Sequence, residues 1–237
     1  MKAFFIVFLL ATVAVAQDRA TATEEQNQTL LRTIIENSLK DIRALHNFVY
    51  QQSLTTQRTK PGDFHGVSED VVETVIADGK VFARRVKHNG HLEKEMAKMR
   101  DTVSAPAFDA VSVFGPDVPF EELADYFRVL DVERSRDRLV LKLKRNERPG
   151  PTPDFNVRLE IEPERLKVTE ARYDLDKPNK EFRAISIICR FVAQRGHWLP
   201  GYTHYAAETH RSIMIERTNK ITYKAFEVNS RILTDFK

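Results

Sequence analysis

The chain has 237 residues, with 37 lysines and arginines against 34 aspartates and glutamates, a net charge of +3. Both signs are mixed along its length, which argues against nucleic acid as a partner, because such binders gather Lys and Arg on one face. A single cysteine, Cys189, rules out an internal disulfide, and only eight glycines leave no phosphate-cradling loop, so no cofactor is expected.

Residues 1–16 open with Lys2, continue as an apolar run and end with small residues at Ala14 and Ala16. That is the order of a cleavable signal peptide, and the run falls short of the roughly 20 apolar residues that a bilayer requires. The expected mature chain begins at Gln17, is soluble and has no transmembrane segment. Residues 17–237 are long enough to bury one core without disulfides and are read as one domain. An exported chain without disulfides fits a bacterial periplasm better than an animal extracellular space.

Thr21 and Glu24 form a capping box, and Leu30, Leu31, Ile34, Ile35, Leu39 and Ile42 follow at spacings of three and four, predicting a helix over 22–44. The period then changes to two. Strands are expected over 47–58, 69–77 and 80–88, the last two joined by the turn dipeptide Asp78-Gly79. Leu92, Met96, Met99 and Val103 predict a second helix over 91–102, residues 105–119 a loop, and residues 121–127 a helical turn or two. Leu139, Leu141 and Leu143 alternate with Arg138, Lys142 and Lys144, and Val157, Leu159 and Ile161 with Arg158, Glu160 and Glu162. Two alternation phases compete between Leu166 and Leu175, which calls for a bulge. Further strands carry Ile185, Ile187, Cys189 and Phe191, then residues 202–209, 212–218 and 221–228, with turns at Arg195-Gly196 and Asn219-Lys220. The fold class is therefore α+β, mainly β. Roughly 9–11 antiparallel strands must curl, giving an open half-barrel that wraps two or three helices.

This layout resembles the outer-membrane lipoprotein-sorting family, the LolA/LolB-like fold. Arg195-Gly196-His197-Trp198-Leu199-Pro200 is similar to that family's glycine–x–Trp–Leu–Pro turn. Asp78-Gly79-Lys80-Val81 with Lys87-His88-Asn89-Gly90-His91-Leu92 resembles a hairpin and helix entry of uncharacterised bacterial envelope relatives. The family's Trp–Ile–Asp–Pro stretch appears only as Leu159-Glu160-Ile161-Glu162-Pro163, without its Trp and Asp. The resemblance implies a periplasmic fold whose cavity, in known carriers, shields the acyl chains of a lipid or lipoprotein.

Catalytic and metal candidates are few. His88 and His91 with Glu93 and Glu95 flank Asn89-Gly90, which breaks regular geometry. His204, Glu208 and His210 share a strand face but are spread over about 7–20 Å, too far for one ion. Cys189 sits among Ile187, Ile188 and Phe191, the setting of an inert buried thiol. No nucleophile elbow or zinc-protease helix occurs, and no enzyme activity or metal is expected. The apolar strand faces remain, and Leu141, Leu143, Leu159, Ile161, Ile185, Ile187, Phe191, Ile213 and Ile215 are either core or the lining of a lipid cavity. The expected function is a periplasmic, non-enzymatic carrier or binder of a lipid or lipidated protein. The alternative is an envelope protein-interaction or sensing module without lipid cargo.

Overall fold

The computed structural model describes residues 23–41, 43–45, 47–60, 63–77, 80–88, 91–92, 98–100, 123–146 and 154–225. The expected signal peptide, the Asp78-Gly79 turn, the 105–119 loop and most of the Pro-rich loop after Arg145 lie outside these residues.

The apolar stripe at the N-terminus forms helix α1, residues 23–41, with Leu31, Ile34, Ile35 and Leu39 buried. Strands β1 (Phe48–Lys60), β2 (Asp63–Ala77), β3 (Lys80–His88), β4 (His91–Leu92) and β5 (Lys98–Arg100) follow. The short helix α2 (Leu123–Tyr126) leads into β6 (Phe127–Arg134), β7 (Leu139–Arg145), β8 (Phe155–Glu162), β9 (Lys167–Leu175), β10 (Phe182–Gln194), β11 (His197–Thr209) and β12 (Met214–Ala225). All twelve strands join one antiparallel sheet in the order β4-β3-β2-β1-β12-β11-β10-β9-β8-β7-β6, with β5 also on β3. No pairing links β6 to the β3 side among the described residues, so the sheet is open. It is a curved sheet around α1, as the alternating strands demand.

The expected meander is thus two meanders. One runs β1 to β3, the other β6 to β12, and the first strand meets the last: Tyr50 opposes Tyr223. Their rings pack at 6.1 Å, with Phe48 within 5.9 and 6.2 Å of the pair.

Two local expectations change. The helix over 91–102 is not formed, since His91–Leu92 and Lys98–Arg100 are strands on the edge of β3, where backbone pairing outweighs one short apolar periodicity. Asn219-Lys220 is no turn. Both residues pair on two sides, with Leu54 and Ser53 of β1 and with Thr203 and Tyr202 of β11, because a central strand must satisfy its backbone in both directions. The turn falls earlier, where Ser212 takes a φ of 55° and the Thr209 hydroxyl accepts from the Ile213 N–H. Strand β6, for which the sequence carries no alternation, has a bulge at Leu130 that shifts its register between Val129 and Asp131.

The bulge expected in β9 is present. Glu160 opposes Glu170 and Ile161 opposes Val168, leaving Thr169 as the extra residue, so Val168 and Ala171 both turn inward. The Arg195-Gly196 turn also forms, with φ values of 50° and 84°, both positive as a two-residue hairpin of this type requires.

The concave face holds the core. The seven residues Leu141, Leu143, Leu159, Ile161, Ile185, Ile187 and Phe191 are each 7% exposed or less and belong to one cluster with α1. The convex face is charged. Lys142 bonds Asp131 at 3.1 Å and also Glu133, Arg190 bonds Glu170 at 2.8 Å, and Arg138 pairs with Glu160. Lys142 and Lys144 form the wet side of their strand.

Candidate functional site

α1 crosses the concave face on a diagonal, fixed at its two ends by different means. Its C-terminal end is clasped. β9 and β10 pair only from Glu170 to Asp174 and then part, which leaves the backbone of Val168 without a ladder partner on that side. The Ser38 hydroxyl accepts from the Val168 N–H at 2.9 Å and donates to the Ile34 carbonyl at 2.7 Å. The Trp198 indole N–H donates to the Val168 carbonyl at 2.7 Å. Asp41 accepts from the Trp198 backbone N–H at 2.6 Å and from Lys167 Nζ at 2.7 Å, with both charged side chains under a fifth exposed. Burial pushes the Asp41 carboxyl up, but the Lys167 ammonium, the Trp198 N–H and His197 outweigh it and hold the carboxyl below its ordinary value.

Trp198 is the packing anchor that its place beside Leu199-Pro200 suggests, although it lies inside β11. Its partners Ser38, Asp41 and Lys167 carry no sequence signal for this role. Ser38 and Asp41 on the helix lie more than a hundred residues from Lys167 and Trp198 on the sheet, and only the fold brings them together.

The N-terminal end of α1 rests against the opposite corner, where Gln28 Nε2 donates to the carbonyls of Ala124 (2.6 Å) and Phe127 (2.9 Å). Beside it lies a cavity of about 880 Å³ between α1, α2 and β6, bordered by Glu24, Glu25, Arg32, Asp125, Arg128 and Asn146, among others. Its lining is polar and of mixed charge, with Arg32 and Asp125 3.7 Å apart, so it is not the apolar cavity that an acyl chain requires.

Among the described residues the diagonal leaves a corner of the concave face uncovered, where β10, β11, β12 and β1 run past the helix. Opposed residues in an antiparallel pair share a face. Ile187 opposes Tyr205, which opposes Arg217, which opposes Thr56. In the next rows Ile185, Ala207, Ile215 and Arg58 line up, and Cys189, Thr203, Asn219 and Leu54. The surface passes from buried Ile185 and Ile187 through half-buried Tyr205 and Ile215 to exposed Leu54, Arg58 and Arg217. Burial raises the Tyr205 phenol, nearby Arg217 opposes that, and Glu181 adds to it. Ile213 and Ile215 are half-buried and outside the main cluster, unlike the other seven candidates.

The remaining candidates do not converge. Burial and the neighbouring Glu170 raise the Cys189 thiol well above its ordinary value, so the thiolate nucleophile is suppressed. His204 contacts the Thr218 hydroxyl at 3.2 Å, Glu208 pairs with Arg183, and His210 contacts the Asn179 carbonyl at 2.6 Å. No group of three metal-ligating side chains occurs among the described residues. The side chains of His88, His91, Glu93 and Glu95 lie outside the described residues. No described helix is long and apolar enough to cross a membrane.

No family model and no curated protein matches the chain. Among solved structures it is similar to a LolA superfamily protein, NE2245 from Nitrosomonas europaea, at 11% identity and a TM-score of 0.40, over 89% of this chain and 97% of that one. The resemblance to LolA-like structures is one of layout. A structure assigned as an outer-membrane lipoprotein-sorting protein domain from Vibrio parahaemolyticus gives 8% identity and a TM-score of 0.42, over 86% and 97%. A DUF1329 family protein from Desulfovibrio piger gives 9% and 0.38, over 86% and 97%. At these values no residue of this chain inherits a role from them.

Proposed function

We propose that this is an exported periplasmic protein of one domain that binds an apolar cargo, the acyl chain of a lipid or lipidated protein, without a covalent step. The supporting observation is that the apolar concave face runs out from under α1. Ile185, Ile187, Ile213 and Ile215 border the uncovered corner and are the first contacts for a tail. Leu141, Leu143, Leu159, Ile161 and Phe191 are reached when α1 lifts from the sheet, which exchanges the helix's buried stripe for the cargo's methylenes. Each side of that exchange buries comparable apolar area, so the hydrophobic term, about 25 cal/mol per Å² of surface, nearly cancels and moderate, reversible binding results. Export rests on the order of residues in positions 1–16.

Native mass spectrometry of protein purified from a bacterial envelope fraction tests this reading, with the organic extract examined alongside. The expected result is a stoichiometric lipid adduct that disappears on extraction. A bare mass, persisting after incubation with envelope lipids, overturns it.

One observation favours a second reading, an envelope protein-interaction module. Among the described residues strand β6 pairs only with β7, and its bulged Leu130 is 56% exposed on that edge. A free edge with an exposed apolar side chain is a template for strand addition by another chain. A bare mass in the experiment above leads to this reading.

A further inference from the structure

Exposed arginines around strands β7 to β10 have carboxylate partners, whereas Arg128 and Arg134 on the edge strand β6 and Arg58 and Arg217 on the central strands show none among the described residues. On the convex side Arg138 and Arg158 reach Glu160, Arg172 reaches Asp174, Arg183 reaches Glu208 and Arg190 reaches Glu170. Arg58 and Arg217, on the concave corner, have no carboxylate partner among the described residues. They are diagonal neighbours, because Arg217 opposes Thr56 and Arg58 opposes Ile215. Two like charges so placed on one face repel, and nothing in the sheet relieves them. The carboxylates nearest in this part of the fold are Asp70, which shares a row with Leu54 and is already engaged, and Glu181, which lies near Tyr205.

A third polar group points the same way. Asn219 is two residues along β12 from Arg217, and its side-chain oxygen is buried with no hydrogen-bond donor among the described residues. Buried acceptors in native proteins are satisfied by protein or by water, and a ligand hydroxyl can serve this one in place of water. The corner therefore offers two guanidinium forks and one acceptor, set at the end of the apolar surface formed by Ile187, Tyr205 and Ile215. Guanidinium forks match phosphate oxygens, and a lone acceptor matches a hydroxyl.

We infer that this corner seats the headgroup of an anionic, hydroxyl-bearing phospholipid. The phosphate lies between Arg58 and Arg217, a headgroup hydroxyl donates to Asn219, and the acyl chain lies over Tyr205 and Ile215 toward Ile187. The inference rests on the apolar-cargo reading and adds the headgroup class to it.

The test titrates the protein with short-chain phosphatidylglycerol and, separately, phosphatidylcholine of the same tails, both below micelle formation, with binding read by calorimetry. The expected preference for phosphatidylglycerol is about tenfold or more, because both lipids offer the phosphodiester but the choline cation of phosphatidylcholine meets the two arginines and brings no hydroxyl for Asn219. The R58Q/R217Q variant, altered only at exposed positions, is expected to bind both lipids more weakly than the parent does and to lose the preference between them. Equal binding of the two lipids by the parent protein, or a preference that survives in the variant, overturns the headgroup assignment and leaves the apolar-cargo reading standing. Binding of neither lipid overturns both. Inorganic phosphate that competes as strongly as phosphatidylglycerol makes the corner a free-anion site and also overturns the assignment.

Discussion

The covered and uncovered parts of the concave face are made from the same strands and obey different rules. Under α1, the inward positions Leu139, Leu141 and Leu143 of β7 and those facing them on β8, β9 and β10 are apolar and buried. Beyond it, the same rows continue into Thr56, Arg58, Arg217 and Asn219. The alternation of the strands is unbroken across the boundary; what changes is the presence of the helix. Inward position on a curved sheet therefore does not mean core, and the path of one helix decides which inward residues carry stability and which are free for a ligand.

The sharpest way to break this contrast is to place a carboxylate on each side of the boundary. Leu143, 1% exposed, replaced by Glu is expected to lose more than about 4 kcal/mol and to unfold, since a buried charge has no partner there. Ile215→Glu, on the same face outside the helix's path, is expected to stay within about 1 kcal/mol of the parent in urea denaturation. Equal losses at the two positions remove the distinction.

The next effect belongs to the clasp. Asp41→Ala leaves Lys167 and the Trp198 N–H without their acceptor and is expected to cost about 2–4 kcal/mol, with a red shift of the Trp198 fluorescence. Loss of stability without a change at Trp198 separates the helix from the β11 hairpin and weakens the diagonal picture. The clasp also predicts a pH dependence. Because the folded Asp41 carboxyl lies below its ordinary value of 3.8, the unfolded chain takes up that proton more readily. The contribution of Asp41 is complete at neutral pH, and it is lost as pH falls through the ordinary carboxylate range near about pH 4 and below. The stability gap between the parent and Asp41→Asn should be flat from neutral to weakly acidic buffer and close at lower pH. A gap that widens on acidification contradicts the geometry.

The smallest effect concerns the bend of β11. Gly201 is the extra residue where the register between β10 and β11 shifts, and a Cβ there would lie 2.5 Å from a Val192 methyl. Gly201→Ala is expected to cost about 1–3 kcal/mol by overpacking, with much of it recovered in the Gly201→Ala/Val192→Ala pair. No recovery places the strain in the backbone instead.

Much of the fold was legible because the strands at Leu139–Arg145 and Phe155–Glu162 alternate without interruption and α1 carries an apolar stripe. The bulge in β9 was legible as a clash of phases. The sequence misled where a local pattern was weaker than a distant partner. Asn219-Lys220 has turn composition, yet two flanking strands hold it straight, and Leu92, Met96 and Met99 keep helical spacing beside an edge that needed pairing. The site was less legible than the fold. Its apolar candidates were found by periodicity, but Ser38, Asp41 and Lys167 are ordinary polar residues until the sheet opens at Val168. Arg58 and Arg217 acquire a common face only through the pairing of β1 with β12.

That pairing has a consequence for how the chain comes to be folded. The seam joins Tyr50 to Tyr223, so the first strand waits unpaired on that side until nearly the whole polypeptide has emerged. Closing such a long-range contact is entropically slow, and the β6–β12 meander, with its short connections, has time to form first. Under the export proposed above, this order of events keeps the centre of the sheet from locking before the chain has crossed the membrane. The same delay leaves β1 exposed as an orphan strand in the interval, which makes that segment the natural client for a holding chaperone.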